Sequence, residues 1–335
     1  MLDIRDFINS VRQIVARHNL GSPGAYQRWC WLRKGQKRRL GLNEYGCADA
    51  ANILYTMGDF PSEPEDRAAW IRTLRSLQDP ESGMFTEGTH HPIHTTAHCI
   101  AALELFDARP SFPLAELAGS RNPDAVAGFL EGLAWRKDPW NASHQGAGLY
   151  VALTLSGAVS SAWADAYFGW LWEEADAETG LFRKGCVAPI DSSRGPIRFP
   201  HLAGTFHYLF NMEYARQPLR YPSALIDTCL GLRESDPFPL GTMVGFAEVD
   251  WVYCLNRASR QSAERFDETR AILRAFAEAY VPTLTARDPE TDEGLNDLHM
   301  LFGALCCLAE LQTALPGFIR TEKPLRLVLD RRPFI

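Results

Sequence analysis

Four of the nine histidines of this chain fall within nine residues, in the stretch HHPIHTTAHCIAALELF at 90–106. His94 and His98 lie four positions apart, so on a helix they share one face. Imidazole titrates near neutrality, and such a pair predicts general acid–base catalysis. Two alternatives stay open: the histidines cap the helix and bond carbonyl groups, or they bind a metal with Glu87 or Asp49. H-x-x-x-H without a Glu between its histidines is a weak metal motif, so we predict no metal.

Carboxylates also occur in apolar surroundings. Asp49 lies among Ala and Gly in YGCADAAN, and Asp250 lies close to Trp251 and Tyr253. Burial would raise the pKa of such carboxyl groups and suit them to acid–base chemistry. Two carboxylates from different helices could also form a glycosidase pair. For Asp49 a structural role, in which it accepts hydrogen bonds from a neighbouring helix, is an equal alternative.

The elements that must position these side chains are helices, because apolar residues recur with helical spacing along almost the whole chain. Two kinds of helix alternate. Helices of the first kind are amphipathic, and those of the second are apolar on every side and must be buried on every side. The first kind is predicted at about 2–18, 65–78, 123–134, 160–175, 222–233 and 262–280, and the second at about 45–57, 93–106, 144–156, 201–214, 246–257 and 295–313.

This alternation predicts an all-α fold of six helical hairpins, an (α/α)6 toroid with the buried helices inside. The connectors LQDPESGMFTEG at 77–88 and WEEADAETGLFRKG at 172–185 share a pattern rich in turn residues, which predicts short β-hairpin loops. We predict one toroid domain over 1–323 and a C-terminal tail over 324–335. The alternation in LRLVL predicts a strand-like tail that packs on the outside of the ring or closes its seam.

The pairing of helices and connectors resembles the α/α-toroid families. LQDPESGMF before HTTAHCIAALELF is similar to the turn that precedes an inner helix in terpene cyclases and protein prenyltransferases. DAETGLFRKG resembles loops of the six-hairpin glycan-active enzymes, which include unsaturated glucuronyl hydrolases, sugar epimerases and polysaccharide lyases. The resemblance covers most of the chain as architecture and identifies no single family. The chain lacks the D-x-D-D acid of class II cyclases, and a prenyltransferase zinc set would need Asp227, on a predicted outer helix, to meet His299.

In a closed ring the N-terminal ends of the inner helices line one funnel. Their macrodipoles converge there and favour an anionic group. Polar residues concentrate in the first two turns of these helices, although burying them is costly unless they are partnered. We predict catalytic roles for Tyr45, Asp49, His94, His98, His207, Tyr208, Asp250 and His299, and substrate-binding roles for Asn52, His144, Gln145, Arg198, His201, Glu248, Trp251, Tyr253 and Asp297.

Composition argues against several classes of function. A net charge of −7 offers no basic field for nucleic acid. No stretch reaches the ~20 apolar residues of a membrane span, and the first helix lacks the apolar core of a secretory signal. The eight cysteines form no C-x-x-C pair, which predicts reduced thiols and a cytoplasmic location, with earlier removal of a signal peptide left open. The nucleotide, nicotinamide and serine-hydrolase motifs are missing.

The sequence therefore predicts a cofactor-independent enzyme that acts on a small molecule or oligosaccharide. We expect an acidic carbohydrate, with hydrolysis, β-elimination or epimerisation as the reaction. One alternative is a terpenoid or prenyl cyclase-like or lyase-like enzyme, with Phe206, Phe246 and Trp251 lining the lumen. The other is a non-catalytic toroid that binds a glycan or peptide, whose histidines and carboxylates are all paired internally. Oligomerisation is left open.

Overall fold

The structure, a computed structural model, describes residues 1–187, 198–234, 241 and 243–335, and these are mostly helical. The predicted all-α class is confirmed. Two short strands, β1 (Leu2–Asp3) and β2 (Ile319–Arg320), pair in parallel with Leu2 opposite Ile319. In the part of the chain that is described, no helix combines the length and apolarity needed to cross a bilayer.

The predicted helices are all present. The largest differences are at α6, which begins at Pro139 instead of 144, and at α11, which is displaced towards the C-terminus. A 3-10 helix at Ala115–Arg121 precedes α5. The α-helices are α1 (Arg5–His18), α2 (Glu44–Met57), α3 (Pro64–Ser76), α4 (Pro92–Leu105), α5 (Pro123–Glu131), α6 (Pro139–Leu155), α7 (Ser161–Glu174), α8 (Phe199–Tyr214), α9 (Pro222–Glu234), α10 (Ala247–Ser259), α11 (Phe266–Thr285), α12 (Leu298–Ala314) and α13 (Val328–Arg331).

Local sequence explains where several of these helices begin. Proline occupies the first turn of α3, α4, α5 and α6, where its missing N–H costs nothing. The side chain of Asn43 accepts hydrogen bonds from Tyr45 N and Gly46 N at the start of α2. The carboxylate of Asp297 accepts one from His299 N at the start of α12. These caps satisfy backbone donors that a helix leaves free, and they fix the first residue of each helix.

The even-numbered helices α2 to α12, which we call the inner helices, are buried on nearly all sides. Each inner helix contacts the next: α2 contacts α4, and the series continues through α6, α8 and α10 to α12, which contacts α2 again. The odd-numbered helices α1 to α11 have exposed faces, and most of them contact neighbouring inner helices. The contacts between inner helices thus form a closed cycle.

The connectors are turns anchored by aspartate and contain no paired strands, so the predicted β-hairpin loops are wrong for the residues described. Asp79 Oδ1 accepts hydrogen bonds from Glu81 N and Ser82 N, and Asp176 makes the equivalent bonds in the connector after α7. That second connector has one isolated bridge, between Ala175 and Phe182. Backbone hydrogen bonds also cross both turns, from Asp79 N to Met84 O and from Asp176 N to Leu181 O, but they do not extend into paired strands.

The tail over 324–335 ends among the inner helices. α13 contacts α2 and α8, and the buried ring of Phe334 lies 4.8 Å from the ring of His94 and 5.7 Å from that of Phe210. The strand predicted from LRLVL is absent, because these residues run as irregular chain into α13. Leu325, Val328 and Leu329 are buried, and this burial accounts for the apolar alternation without a sheet.

Candidate functional site

The inner helices and the last residue of the tail enclose a cavity of about 70 Å³. Most of its polar groups come from the N-terminal halves of α4, α6, α10 and α12, and one comes from the middle of α8. The residues that line it are His90, His94, Trp140, His144, His207, Phe246, Asp250, His299, Met300 and Ile335.

Asp49 binds two imidazoles at the edge of this cavity. His98 Nε2 lies 2.7 Å from Asp49 Oδ1, and His299 Nδ1 lies 3.1 Å from Asp49 Oδ2. Burial opposes ionisation of Asp49, but the interactions with His299 and His98 outweigh it and hold the pKa of Asp49 below its usual range. An ionised carboxylate only accepts hydrogen bonds, so both imidazoles donate. His299 therefore donates from Nδ1 to Asp49, and its ring lines the cavity.

Three further histidines meet beside this pair, each from a different inner helix. One nitrogen from each of His94, His144 and His207 lies within 4.8 Å of the other two. Tyr45 Oη lies 2.6 Å from His94 Nδ1, and His207 Nδ1 donates to Ala203 O over 2.8 Å. His144 Nδ1 is buried and has no hydrogen-bond partner. Burial lowers the pKa of all three, so these imidazoles are neutral at pH 7.

Asp250 provides a carboxyl group from α10. Burial raises its pKa well above the ordinary value, and the nearby Glu248 adds to that shift. Asp250 Oδ1 is buried without a hydrogen-bond partner. Burial therefore favours the neutral acid, which is the form that can donate a proton into the cavity.

A second, larger chamber of about 330 Å³ adjoins the first. The two share Trp140, Phe246, Asp250 and Met300. The walls of the larger chamber are mostly apolar and are completed by Phe199, Pro200, Ala203, Met243, Val244, Gly245, Ala247 and Glu248.

Several predicted site residues do not line the cavity but contact the residues around it. His98 is buried beneath Asp49, and the Tyr45 hydroxyl is bonded to His94. Asp297 pairs with the buried guanidinium of Arg28, with Arg28 Nε 2.7 Å from Asp297 Oδ1. Some of these contacts fix side chains that line the cavity, and others fix the helices that carry those side chains.

Other predicted residues lie elsewhere. The ring of Tyr208 stacks on Trp135, 5.5 Å away, because on a helix it points about 100° from His207. Trp251 donates from Nε1 to Cys229 O on α9, and Tyr253 lies under Arg257. Five more predicted residues do not line the 70 Å³ cavity. Asn52 is buried without side-chain partners, the Gln145 side chain bonds its own helix, and Arg198 precedes α8. His201 faces the connector at Phe182, and Glu248 accepts a hydrogen bond from Gly241 N and lines the larger chamber.

Sequence reasoning missed part of the site. His90 belongs to the same histidine-rich stretch, and this clustering could have indicated it. Met300 follows His299, and Trp140 lies one helical turn before His144, but no spacing distinguishes them from core residues. Arg28 lies in a connector, and only the structure reveals that it is buried against Asp297.

Comparison with known proteins finds no matching family model, no matching curated protein and no matching solved structure. The resemblance to α/α-toroid families therefore gains no support from them. Any function has to be argued from the cavity.

Proposed function

We propose that the chain is an (α/α)6 toroid enzyme that catalyses proton transfer on a small organic substrate bound in the 70 Å³ cavity. The toroid is supported by the closed cycle of inner-helix contacts, outside which the amphipathic helices lie. A cycle of helices leaves one central space, and the cavity is lined from α4, α6, α8, α10 and α12.

The observation that carries the proposed activity is a base and an acid facing one cavity. His299 is oriented by Asp49 through Nδ1, as in the carboxylate–imidazole pairs of many enzymes. Asp250 lines the same cavity, and burial raises the pKa of its carboxyl group. His299 would take a proton from a carbon, a hydroxyl or water, and Asp250 would supply one. This combination fits epimerisation, β-elimination and hydrolysis.

A carbohydrate is the first substrate class we propose. Trp140 is 44% exposed at the cavity and packs edge-on against His144, so its ring can support a sugar face. No lysine or arginine lines the described part of the cavity, so an acidic sugar would lack a cationic side chain there. The unpaired atoms Asp250 Oδ1 and His144 Nδ1 argue against a toroid that only binds, for which complete internal pairing is expected.

An isoprenoid substrate is the second candidate, and the larger chamber favours it. Phe199, Val244, Phe246 and Met300 give that chamber apolar walls, and Asp250 lies where the two spaces meet. A neutral carboxylic acid beside an apolar chamber could protonate an alkene. Both candidate functions use Asp250. They differ in their substrate and in whether the reaction needs His299.

The test is turnover of a defined panel: 4-nitrophenyl glycosides, uronic-acid oligosaccharides and isoprenoid diphosphates, with products identified by mass spectrometry. With the carbohydrate that reacts, we expect His299→Gln and Asp49→Asn to lower kcat by about 10²–10⁴, the usual contribution of acid–base catalysis. His91→Asn is the matched control, because His91 is an exposed helix cap of the same segment and Asn is an equally good cap. Wild-type kcat in both His299→Gln and Asp250→Asn would disprove the proposal. Turnover of an isoprenoid with only Asp250 required would select the second candidate.

A further inference from the structure

We propose that His94, His144 and His207 form a binding site for one divalent transition-metal ion, with Zn²⁺ the best match to the ligands. The site does not depend on the reaction proposed above. It lies in the same cavity but uses different side chains.

The distances between the three imidazole rings suit binding of one ion by three protein ligands. The ring centroids of His94 and His144 are 4.4 Å apart, and those of His144 and His207 are 4.7 Å apart. Ligand nitrogens of tetrahedral Zn²⁺ lie about 3.4 Å from one another when each Zn–N bond is about 2.0–2.1 Å. The nitrogens here already lie within 4.8 Å of one another, so small side-chain rotations would bring them to a common ion.

In two of the three imidazole rings, a hydrogen bond to Nδ1 orients the ring for metal binding. Ala203 O accepts from His207 Nδ1, which leaves the lone pair on Nε2. Tyr45 Oη holds the His94 ring through Nδ1, and in the tautomer with the proton on Nδ1 the lone pair of His94 is on Nε2. Metal-binding histidines usually bond an oxygen through their other nitrogen, which fixes the ring and its tautomer.

His144 supplies the observation that most directly indicates a missing partner. Its ring is 5% exposed, its Nδ1 has no hydrogen-bond partner, and it lies between the other two rings. An unpartnered polar atom is costly to bury. Coordination of an ion through Nδ1 would offset that cost.

The neighbouring group of Asp49, His98 and His299 also has metal-ligand residue types, but each imidazole already has one nitrogen bonded to the carboxylate. Both imidazoles donate to the Asp49 carboxylate. A metal there would have to displace two buried hydrogen bonds. The trio of histidines needs no such loss, because its members do not hydrogen-bond one another.

Three protein ligands leave a fourth tetrahedral position, and such open sites are typical of catalytic zinc. His299 and Asp250 line the cavity into which that position would open. Bound zinc would supply a Lewis acid and a site for water. An anionic substrate would then meet the positive charge that the side chains of the cavity lack.

The experiment is metal binding to the full chain after treatment with a chelator and dialysis. Zn²⁺ is titrated calorimetrically, and Co²⁺ is followed by the visible absorption of its tetrahedral complexes. We expect one ion per chain, a tetrahedral Co²⁺ spectrum and a rise in Tm with Zn²⁺. His144→Ala should abolish the spectrum and the rise in Tm, while circular dichroism stays like the wild type, because His144 has no hydrogen bond to lose. His207→Gln serves as the second variant if His144→Ala does not fold.

The His91→Asn variant, which is altered outside the three histidines, should bind the ions as the wild type does. The Asp49→Asn variant tests whether the ion binds instead at Asp49, His98 and His299. Loss of binding in Asp49→Asn with retention in His144→Ala would overturn the assignment, as would no saturable binding of either ion to the wild type. None of these outcomes changes the expected effect of His299→Gln on turnover, so the two proposals can fail separately.

Discussion

At the scale of single residues, burial decides which chemical form a side chain takes. Asp49 and Asp250 are the same residue type and both are buried, yet their pKa values shift in opposite directions. Asp49 accepts hydrogen bonds from two imidazoles, which hold its pKa below the usual range, whereas Asp250 Oδ1 has no donor and burial raises the pKa of its carboxyl group. One cavity can therefore hold an oriented base and an acid at the same pH.

Glu44 gives a prediction of pH dependence at this scale. Burial raises its pKa from 4.5 to about 7, and Glu87 adds to the shift. The folded state binds this proton more tightly than the unfolded state, so its stabilising effect is complete below pH 4.5 and is lost as pH rises to about 7. We expect Glu44→Gln to be more stable than the wild type at pH 8, with a smaller difference at pH 5. Urea unfolding at the two pH values measures this difference.

The matched control is Glu65→Gln, because Glu65 lies in the first turn of α3 as Glu44 lies in that of α2, but its side chain is exposed. It should lose about 0.3–1 kcal/mol of helix-dipole stabilisation and gain nothing at high pH. A Glu44→Gln variant whose difference from the wild type does not change between the two pH values would contradict the raised pKa.

At the scale of elements, small residues decide how closely the inner helices approach their surroundings. Gly46, in the first turn of α2, lies against the segment 26–28. A Cβ built there would lie 2.5 Å from Gln27 C and 2.6 Å from Tyr26 O. These are backbone atoms, so the neighbouring segment cannot simply rotate away. The same approach brings Arg28 and Tyr45 to the site.

Gly46→Ala should therefore destabilise the protein, by about 1–3 kcal/mol for overpacking, although alanine favours a helix. Gly169→Ala, in exposed α7 with nothing within 4 Å of the new Cβ, should stabilise by about 0.5–1 kcal/mol. Free energies of unfolding in urea measure both. Equal effects of the same sign would show that helix propensity, and not the close approach, dominates at Gly46.

At the scale of the whole molecule, the tail joins elements that are distant in sequence. Phe334 is fully buried and touches α4 and α8, and Arg332 lies over Phe302 of α12. Ile335 lines the cavity. The last residues of the tail thus pack against the helices that carry the site.

Phe334→Ala should cost about 3–5 kcal/mol of unfolding free energy, since a large ring is removed from a packed interior. Phe112→Ala removes the same ring from a position 38% exposed, and should cost under about 1 kcal/mol. Thermal and urea unfolding of the two variants, side by side, measure the difference. A loss for Phe334→Ala as small as the loss expected for Phe112→Ala would mean that the tail contributes little to the stability of the fold.

Much of this protein follows from its sequence alone. Helical spacing placed the helices, and continuous apolarity showed which of them are buried. The histidine stretch and the acids of α2 and α10 were recognisable because polar groups are rare in such helices. The tail and the connectors were mispredicted, because an alternating pattern and a turn-rich one each fit more than one local structure.

Only the tertiary structure decided which polar groups meet. A helix that is apolar on every side has no amphipathic face, so its sequence does not fix its rotation about its own axis. Packing against neighbours fixed it, and of the adjacent residues His207 and Tyr208 the first faces the cavity while the second packs on Trp135. His94, His144 and His207 come from three helices, and their convergence depends on all three rotations at once.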